Sequence, residues 1–296
     1  MPLAQAIARN VHDGDCLYCA GFTHLIPFAA GHEIIRQGQR NLTLARATPD
    51  LIYDQMVAAG CARKIIFSYM GNPGVGSLRI VRSELEAGRL EWEEHSHFGM
   101  ISRLQAGASG LPFIPMKQTA ATDLEHANPL YRRVTDPYTG CEVVVLPPLN
   151  PDVAIVHVQR CDAQGNSQIW GIIGEQKEVA FASQRVIITT EEIVPEEVIR
   201  SDPNRTLIPG FIVDAVCHEP YAAHPSYTQG YYDRDNTFYL EWDRISESPA
   251  AVKAYLDEWV FGVHDRAEYW QKLGPETHAR LSVLPALAAP VNYGKY

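Results

Sequence analysis

No stretch of this sequence stays apolar for the roughly 18 residues that a membrane-spanning helix requires. Nor does the chain open with a charged segment, an apolar core and a small-residue cleavage site, so the cytoplasm is the expected compartment. Repeats and low-complexity tracts are missing too. Lys and Arg number 25 against 35 Asp and Glu, for a net charge of −10, and they form no cluster. Phosphate binding is driven by such clusters, which argues against nucleic acid as a partner, although a local basic pocket for an anion remains compatible with this balance. Nucleotide signatures are absent as well. The loop Gly71-Asn72-Pro73-Gly74-Val75-Gly76-Ser77 has the spacing G-x-x-G-x-G where the dinucleotide fingerprint is G-x-G-x-x-G, and Pro73 removes a backbone donor. No Gly-Lys-Ser or Gly-Lys-Thr occurs, and Ser109 sits in GASG rather than in the G-x-S-x-G elbow of serine hydrolases.

Cysteine is sparse, at six residues, and several of them lie in runs that read as buried strands, as free thiols in a reducing compartment would. Cys16 and Cys19 make a C-x-x-C spacing with no second pair to follow it. Alternation along a strand would also put their sulfurs on opposite faces, so neither a metal nor a redox role is expected.

What is present is an alternation of strand and helix signals in a chain of 296 residues, 46% hydrophobic, long enough for a large core. An amphipathic helix over Leu3 to Val11 precedes the turn Asp13-Gly14-Asp15 and an apolar strand, Cys16 to Ala20, that ends at Gly21. Phe28 to Gln37 reads as a helix closed by Gly38, and Leu42 to Ala47 as a strand. Thr48 is the expected N-cap, with Pro49 at the first position of a helix over Leu51 to Ala59. Strands at Lys64 to Met70 and Leu90 to Glu94 bracket a helix over Leu78 to Ala87, and a helix from Phe98 to Ala108 follows. Met116 to Leu149 is less regular and reads as a crossing between two lobes of the sheet. Val153 to Val158 and Ser167 to Trp170 flank a hairpin turn, then come a helix at Glu175 to Ser183 and a strand at Val186 to Thr190. Helices at Ala250 to Phe261 and His264 to Leu273 close the series. The pattern predicts an α/β fold, an open and mostly parallel sheet flanked by helices, in a single domain spanning 1–296 with no flexible linker.

Three constellations could carry chemistry. The loop from Gly71 to Ser77 is either a tight strand-to-helix turn or a cradle presenting Asn72, Ser77 and backbone N–H groups to a carboxylate or thioester oxygen. In Glu93-Glu94-His95-Ser96-His97, continued strand geometry would put Glu93, His95 and His97 on one face. That is surface or interface packing, an acid/base pair, a metal site lacking a third ligand, or a polar wall. Ala223 to Ser226 with the run Gly230 to Asn236 reads as packing or a subunit interface, because His224 has no nearby nucleophile.

The opening segment DGDCLYCAGFTHLIP, 13–27, resembles the start of family I coenzyme A transferases, with an Asp-Gly turn, three apolar residues, Gly-Gly-Phe and a later Pro. Asp13, Gly14, Leu17, Tyr18, Cys19, Gly21, Phe22 and Pro27 fit, while Ala20 stands at the first Gly of the pair and Leu25 or Ile26 where another Gly is usual. VAIVHVQRCDAQGNSQIWG (153–171), TTEEIVPEEVIRSDP (189–203) and AHPSYTQGYYDRDN (223–236) resemble the A-type chains of the glutaconate and 3-oxoadipate branch. ARATPDLIYD, AAGCARK, GNPGVGS, EEHSH and AGASGLPF lean toward its 3-oxoadipate side, whose setting is the breakdown of aromatic compounds. The resemblance implies the family fold and a heteromer with a homologous B subunit. That partner contributes a glutamate, which attacks the acyl-coenzyme A thioester and passes through an anhydride to a glutamyl thioester. The Ser-Glu-Asn-Gly type of motif that holds this glutamate is absent here. No catalytic residue, tightly bound cofactor or metal is therefore expected on this chain, and the coenzyme A thioester enters as substrate. The chain would supply pocket residues: Gly21, Phe22, Thr23 and His24 for close backbone approach, Asn72, Gly74 and Ser77 from the glycine loop, and Glu94, His95 and His97 on the wall. The implied reaction moves coenzyme A, from succinyl-coenzyme A, to a dicarboxylic or 3-oxo-dicarboxylic acid such as 3-oxoadipate. Decarboxylation of a coenzyme A thioester, carbon–carbon bond hydrolysis and a noncatalytic binding role stand as alternatives. The hydrolases of this superfamily carry a carboxylate where His97 stands, with Glu94 near by.

Overall fold

A computed structural model describes residues 1–71, 76–117 and 122–283. The first half alternates helix and strand in α1 (Leu3–Asn10), β1 (Cys16–Cys19), α2 (Phe28–Gln37), β2 (Leu42–Ala45), α3 (Leu51–Ala58), β3 (Ala62–Phe67), α4 (Arg79–Glu86) and β4 (Glu91–Glu94). Each strand lies parallel to its predecessor, in a register that aligns Tyr18 with Ala45, Ala45 with Ile66 and Ile66 with Glu93. Asp50, not Thr48, caps α3, its carboxylate accepting from the Leu51 N–H at 2.7 Å. The expected Thr48 cap fails because the helix starts at Leu51, which puts the cap position on Asp50 and leaves Thr48 two residues outside it.

After α5 (His97–Ala108) the chain leaves the main sheet. Residues expected to form an irregular crossing instead fold into β5 (Ile114–Met116), the short α6 (Leu124–Ala127), β6 (Arg132–Thr135) and β7 (Glu142–Leu146), a separate antiparallel sheet in the order β5-β7-β6. Their strands are short and half exposed, so the apolar alternation that marks a strand is weak there.

β8 (Val153–Cys161) then returns to the main sheet on the far side of β1 and pairs with it in parallel. The expected hairpin follows: β9 (Ser167–Gln168) turns back antiparallel on the end of β8. Its turn is held by the Asp162 carboxylate, which accepts from the N–H groups of Gln164 at 3.0 Å and Asn166 at 2.9 Å. Next come α7 (Gln176–Ala182), β10 (Arg185–Ile193), α8 (Glu196–Ser201), β11 (Thr206–Ile208) and β12 (Ala215–His218). The chain continues with α9 (Asn236–Ile245), α10 (Pro249–Trp259) and α11 (Arg266–Leu281), the last broken at Gly274. Read across, the parallel strands run β4-β3-β2-β1-β8-β10-β12.

Successive strand residues feed two cores, one on each face of the sheet. Leu17, Cys19, Leu44, Ile65 and Ile155 pack toward α1, α2, α3, α9 and α10, and Tyr18, Ala45, Ile66, Ala154 and Val156 toward α5 and α7. With both faces covered, the central strands β1 and β2 and the first half of β8 are largely apolar, as buried parallel strands are, whereas the edge strand β4 is charged. Cys16 and Cys19 are free thiols, each pushed up to about 12 by burial.

Candidate active site at the strand switch point

Order along the sheet reverses between β1 and β8. From β1 the chain winds outward through β2, β3 and β4, and from β8 it winds the other way through β10 and β12. Loops leaving the carboxyl ends of two such strands diverge and open a crevice, the usual ligand site of open α/β sheets. Residues Gly21 to His24 leave β1 at that point.

Gly21 has φ +121°, and a Cβ there would stand 2.6 Å from the His24 carbonyl and 2.8 Å from that of Leu25, so only glycine fits the bend. The fully buried Arg46, just past β2, fixes the bend from below by donating from Nη2 to the Gly21 carbonyl at 2.6 Å. Phe22 is half-buried and meets the edge of the His97 ring at 6.5 Å. The Thr23 carbonyl accepts from Ser226 Oγ at 3.0 Å. His24 is a clamp rather than a ligand group. Its Nδ1–H donates to the Ile172 carbonyl at 3.1 Å, and its Nε2 accepts from the Gln229 N–H at 3.0 Å. Burial pulls this imidazole down to about 3.

Glu93, His95 and His97 do not share a face. β4 ends at Glu94, and Ser96 caps α5 by accepting from the Gly99 N–H at 3.0 Å, so His97 is a helical residue turned away from its neighbours. His95 points into the protein, with Nε2 2.9 Å from Glu93 Oε1 and its ring stacked on Tyr131. Burial lowers this imidazole below the usual histidine value. Glu94 is half-buried; its carbonyl accepts from Asn128 Nδ2 at 2.9 Å, and its carboxylate has no hydrogen-bond partner among the described residues.

His97 joins the loops after β2 and β3 and meets Phe22 of the loop after β1. Its Nε2 lies 2.7 Å from Thr48 Oγ1 and its Nδ1 2.9 Å from Ser68 Oγ. Sequence reasoning passed over Thr48 and Ser68: the first reads as a helix cap and the second falls within the expected strand Lys64 to Met70. Asn72 and Gly74 lie outside the described residues. Ser77, half-buried, stands just past them, close to Gly71 at the other end of the loop. His224 and Tyr232, read from sequence as packing or interface, are buried: His224 lies between Tyr269 and Asp235, and Tyr232 Oη donates to Glu191 at 2.8 Å. Among the described residues no three His, Cys, Asp or Glu side chains gather as a metal site would need. No described helix is long and apolar enough to cross a membrane.

Several known proteins resemble this chain in sequence and fold. The A-type chain of 3-oxoadipate CoA-transferase from Pseudomonas knackmussii is 46% identical over 92% of this chain and 97% of its own. The A-type chain of glutaconate CoA-transferase from Acidaminococcus fermentans is 35% identical over 100% of this chain and 98% of its own. The crystal structure of glutaconate coenzyme A-transferase from Acidaminococcus fermentans superposes with a TM-score of 0.92, covering 99% of this chain and 98% of that one. The decarboxylase AibA/AibB superposes at 0.74 with 31% identity, over 87% of this chain and 97% of its own. The coenzyme A transferase family profile matches residues 1–219. The chain therefore belongs to the coenzyme A transferase family, among its A-type chains.

Proposed function

We propose that this chain, as one A-type domain over residues 1–296, works in the cytoplasm with a homologous B subunit to move coenzyme A from an acyl-coenzyme A, succinyl-coenzyme A foremost, to a dicarboxylic or 3-oxo-dicarboxylic acid such as 3-oxoadipate. The observation that carries this reading is the Gly21 bend at the strand switch point, in a chain 46% identical to the A-type chain of a 3-oxoadipate CoA-transferase over 97% of that protein. The backbone N–H groups of Phe22 and Thr23 donate to no protein acceptor among the described residues, so they are available to an oxyanion at the crevice. A glutamate of the partner would supply the nucleophile and split the exchange into covalent steps, through a glutamyl-coenzyme A thioester. Glu94, His95 and His97 border the site, with His95 holding the wall from inside. Tyr69 and Phe98, more than half exposed beside Ser68 and His97, give the crevice an apolar rim, as a surface covered by a partner would have. The coenzyme A thioester enters as substrate, with no tightly bound cofactor.

The likeness to AibA/AibB favours a second reading, decarboxylation of a coenzyme A thioester. Trapping separates the two. The complex is incubated with acyl-coenzyme A and then with borohydride or hydroxylamine. Under the transferase reading the modified glutamate lies on the partner and none on this chain, kinetics are ping-pong, and Glu94→Gln lowers activity by tens of fold at most. Complete loss in Glu94→Gln, with no adduct on the partner, would favour decarboxylation or hydrolysis. Robust acyl exchange by this polypeptide alone would remove the B subunit from the scheme.

A further inference from the structure

Thr48, His97, Ser68 and the Ala47 carbonyl form one directed chain of hydrogen bonds. Ser68 Oγ donates its single proton to the Ala47 carbonyl at 2.6 Å, so toward His97 Nδ1, 2.9 Å away, it can only accept. Nδ1 therefore carries the proton of the neutral ring, Nε2 is an acceptor, and Thr48 Oγ1, 2.7 Å from it, is the donor. In this state the Thr48 hydroxyl aims its proton inward and turns lone pairs outward, the wrong polarity for a carboxylate. A proton added at Nε2 reverses the last link. The imidazolium then donates to Thr48, and the hydroxyl proton is free to donate outward.

Among the described residues, few charges surround the ring. Phe22 from the loop after β1, Thr48 from the loop after β2 and Ser68 from the loop after β3 are its neighbours, and none is ionised. Lys64 and Arg103 are committed to Glu93, and Arg46 to the Gly21 carbonyl. Tyr69 follows Ser68 and Glu94 ends β4 three residues before His97, and neither side chain contacts the ring among the described residues. Burial alone holds the imidazole below its usual value, with no charged group pulling on it.

We infer that Thr48 and His97 recognise the second carboxylate of a dicarboxylic acceptor, and that its binding takes up one proton from solvent. The proton goes to His97 Nε2, the Thr48 hydroxyl turns to the incoming carboxylate, and no covalent bond other than N–H changes. The unbroken chain then runs from the Ala47 carbonyl through Ser68, imidazolium and Thr48 to the ligand, a charge-assisted arrangement. This inference rests on the transferase reading and deepens it by assigning the residues that tell a diacid from a monoacid.

The test compares adipate and hexanoate as acceptors in the complex with its B subunit, over about pH 6 to 9, the span around an ordinary histidine. Above the His97 pKa, kcat/KM for adipate should fall up to tenfold per pH unit, and that for hexanoate should not follow. The adipate-to-hexanoate ratio should drop about 10–100-fold in Thr48→Val and His97→Gln, the scale of one lost hydrogen bond to a charged group, and recover in Thr48→Ser. Calorimetry in two buffers of different ionisation enthalpy should find close to one proton taken up per adipate bound by the complex and none for hexanoate. A ratio indifferent to pH and to all three substitutions, or adipate binding without proton uptake, would overturn the inference. Transfer to neither acid would defeat the transferase reading, while the calorimetry still decides the proton-linked site.

Discussion

Arg103 Nη1 lies 2.5 Å from Glu93 Oε1, a bond that runs from the second turn of α5 back to the end of β4. Lys64 meets the other oxygen of the same carboxylate at 2.7 Å, and His95 Nε2 approaches Oε1 at 2.9 Å. Arg103 also donates from Nε to the Pro147 carbonyl at 3.0 Å, tying the small antiparallel sheet to the main one. This buried cluster sets the start of α5 and hence the position of His97.

Glu93→Gln should destabilise the protein by about 3 kcal/mol, because it leaves the Arg103 and Lys64 cations without their carboxylate. The hydrogen bonds and cations around Glu93 outweigh its burial and hold its carboxyl well below the usual range. Its stabilisation is therefore present above about pH 4.5 and is lost as pH falls below that value. Urea denaturation at pH 7 and at pH 3 checks both points: the gap between wild type and variant should be wide at the first and narrow toward the second.

Gly21→Ala should lower stability by about 2 kcal/mol or more, since the added Cβ meets two carbonyl oxygens at a backbone angle alanine seldom adopts. Relief requires the loop from Gly21 to Leu25 to shift, so coenzyme A transfer by the complex should fall further than the thermal melt predicts. An alanine variant with wild-type melting and turnover would contradict the close approach assigned to this bend.

Glu219 lines a cavity of about 580 Å³ with Arg36 and Arg266, and that cavity holds none of the crevice residues. Burial pushes its carboxyl up to about 7, with Arg266 pulling the other way. The native state thus holds a proton that the unfolded chain releases, so this contribution is complete below about pH 4.5 and is lost as pH rises through 7. Glu219→Gln should flatten the pH profile of stability in that window by about 2 kcal/mol, read by denaturant midpoints at pH 5 and pH 8.

Chelation should leave activity of the complex intact, and elemental analysis should find no stoichiometric transition metal. A metal recovered at one per chain, with activity lost on chelation and regained on its return, would contradict this expectation.

The alternation of apolar runs, turn residues and capping signals was enough to predict an α/β chain with a parallel sheet, because buried strands and crossover helices differ in length and period. Asp162 to Asn166 was legible as a hairpin for the same local reason, since an Asx side chain satisfies its own turn. The Gly21 bend was legible too, through the residues around it. Sequence could not distinguish Thr48 as a cap from Thr48 as a partner of His97, for a hydroxyl at a helix start suits both and the choice depends on α5, 49 residues further on. Nor could it separate His95 from His97. Their facing depends on where β4 stops and α5 begins, and the Glu93, Lys64 and Arg103 cluster decides that. The antiparallel sheet was hidden because its strands are too short and too exposed to carry a period. What only tertiary structure decided was which loops meet: the reversal of strand order between β1 and β8 brings segments far apart in sequence to one crevice, and no local pattern encodes that meeting.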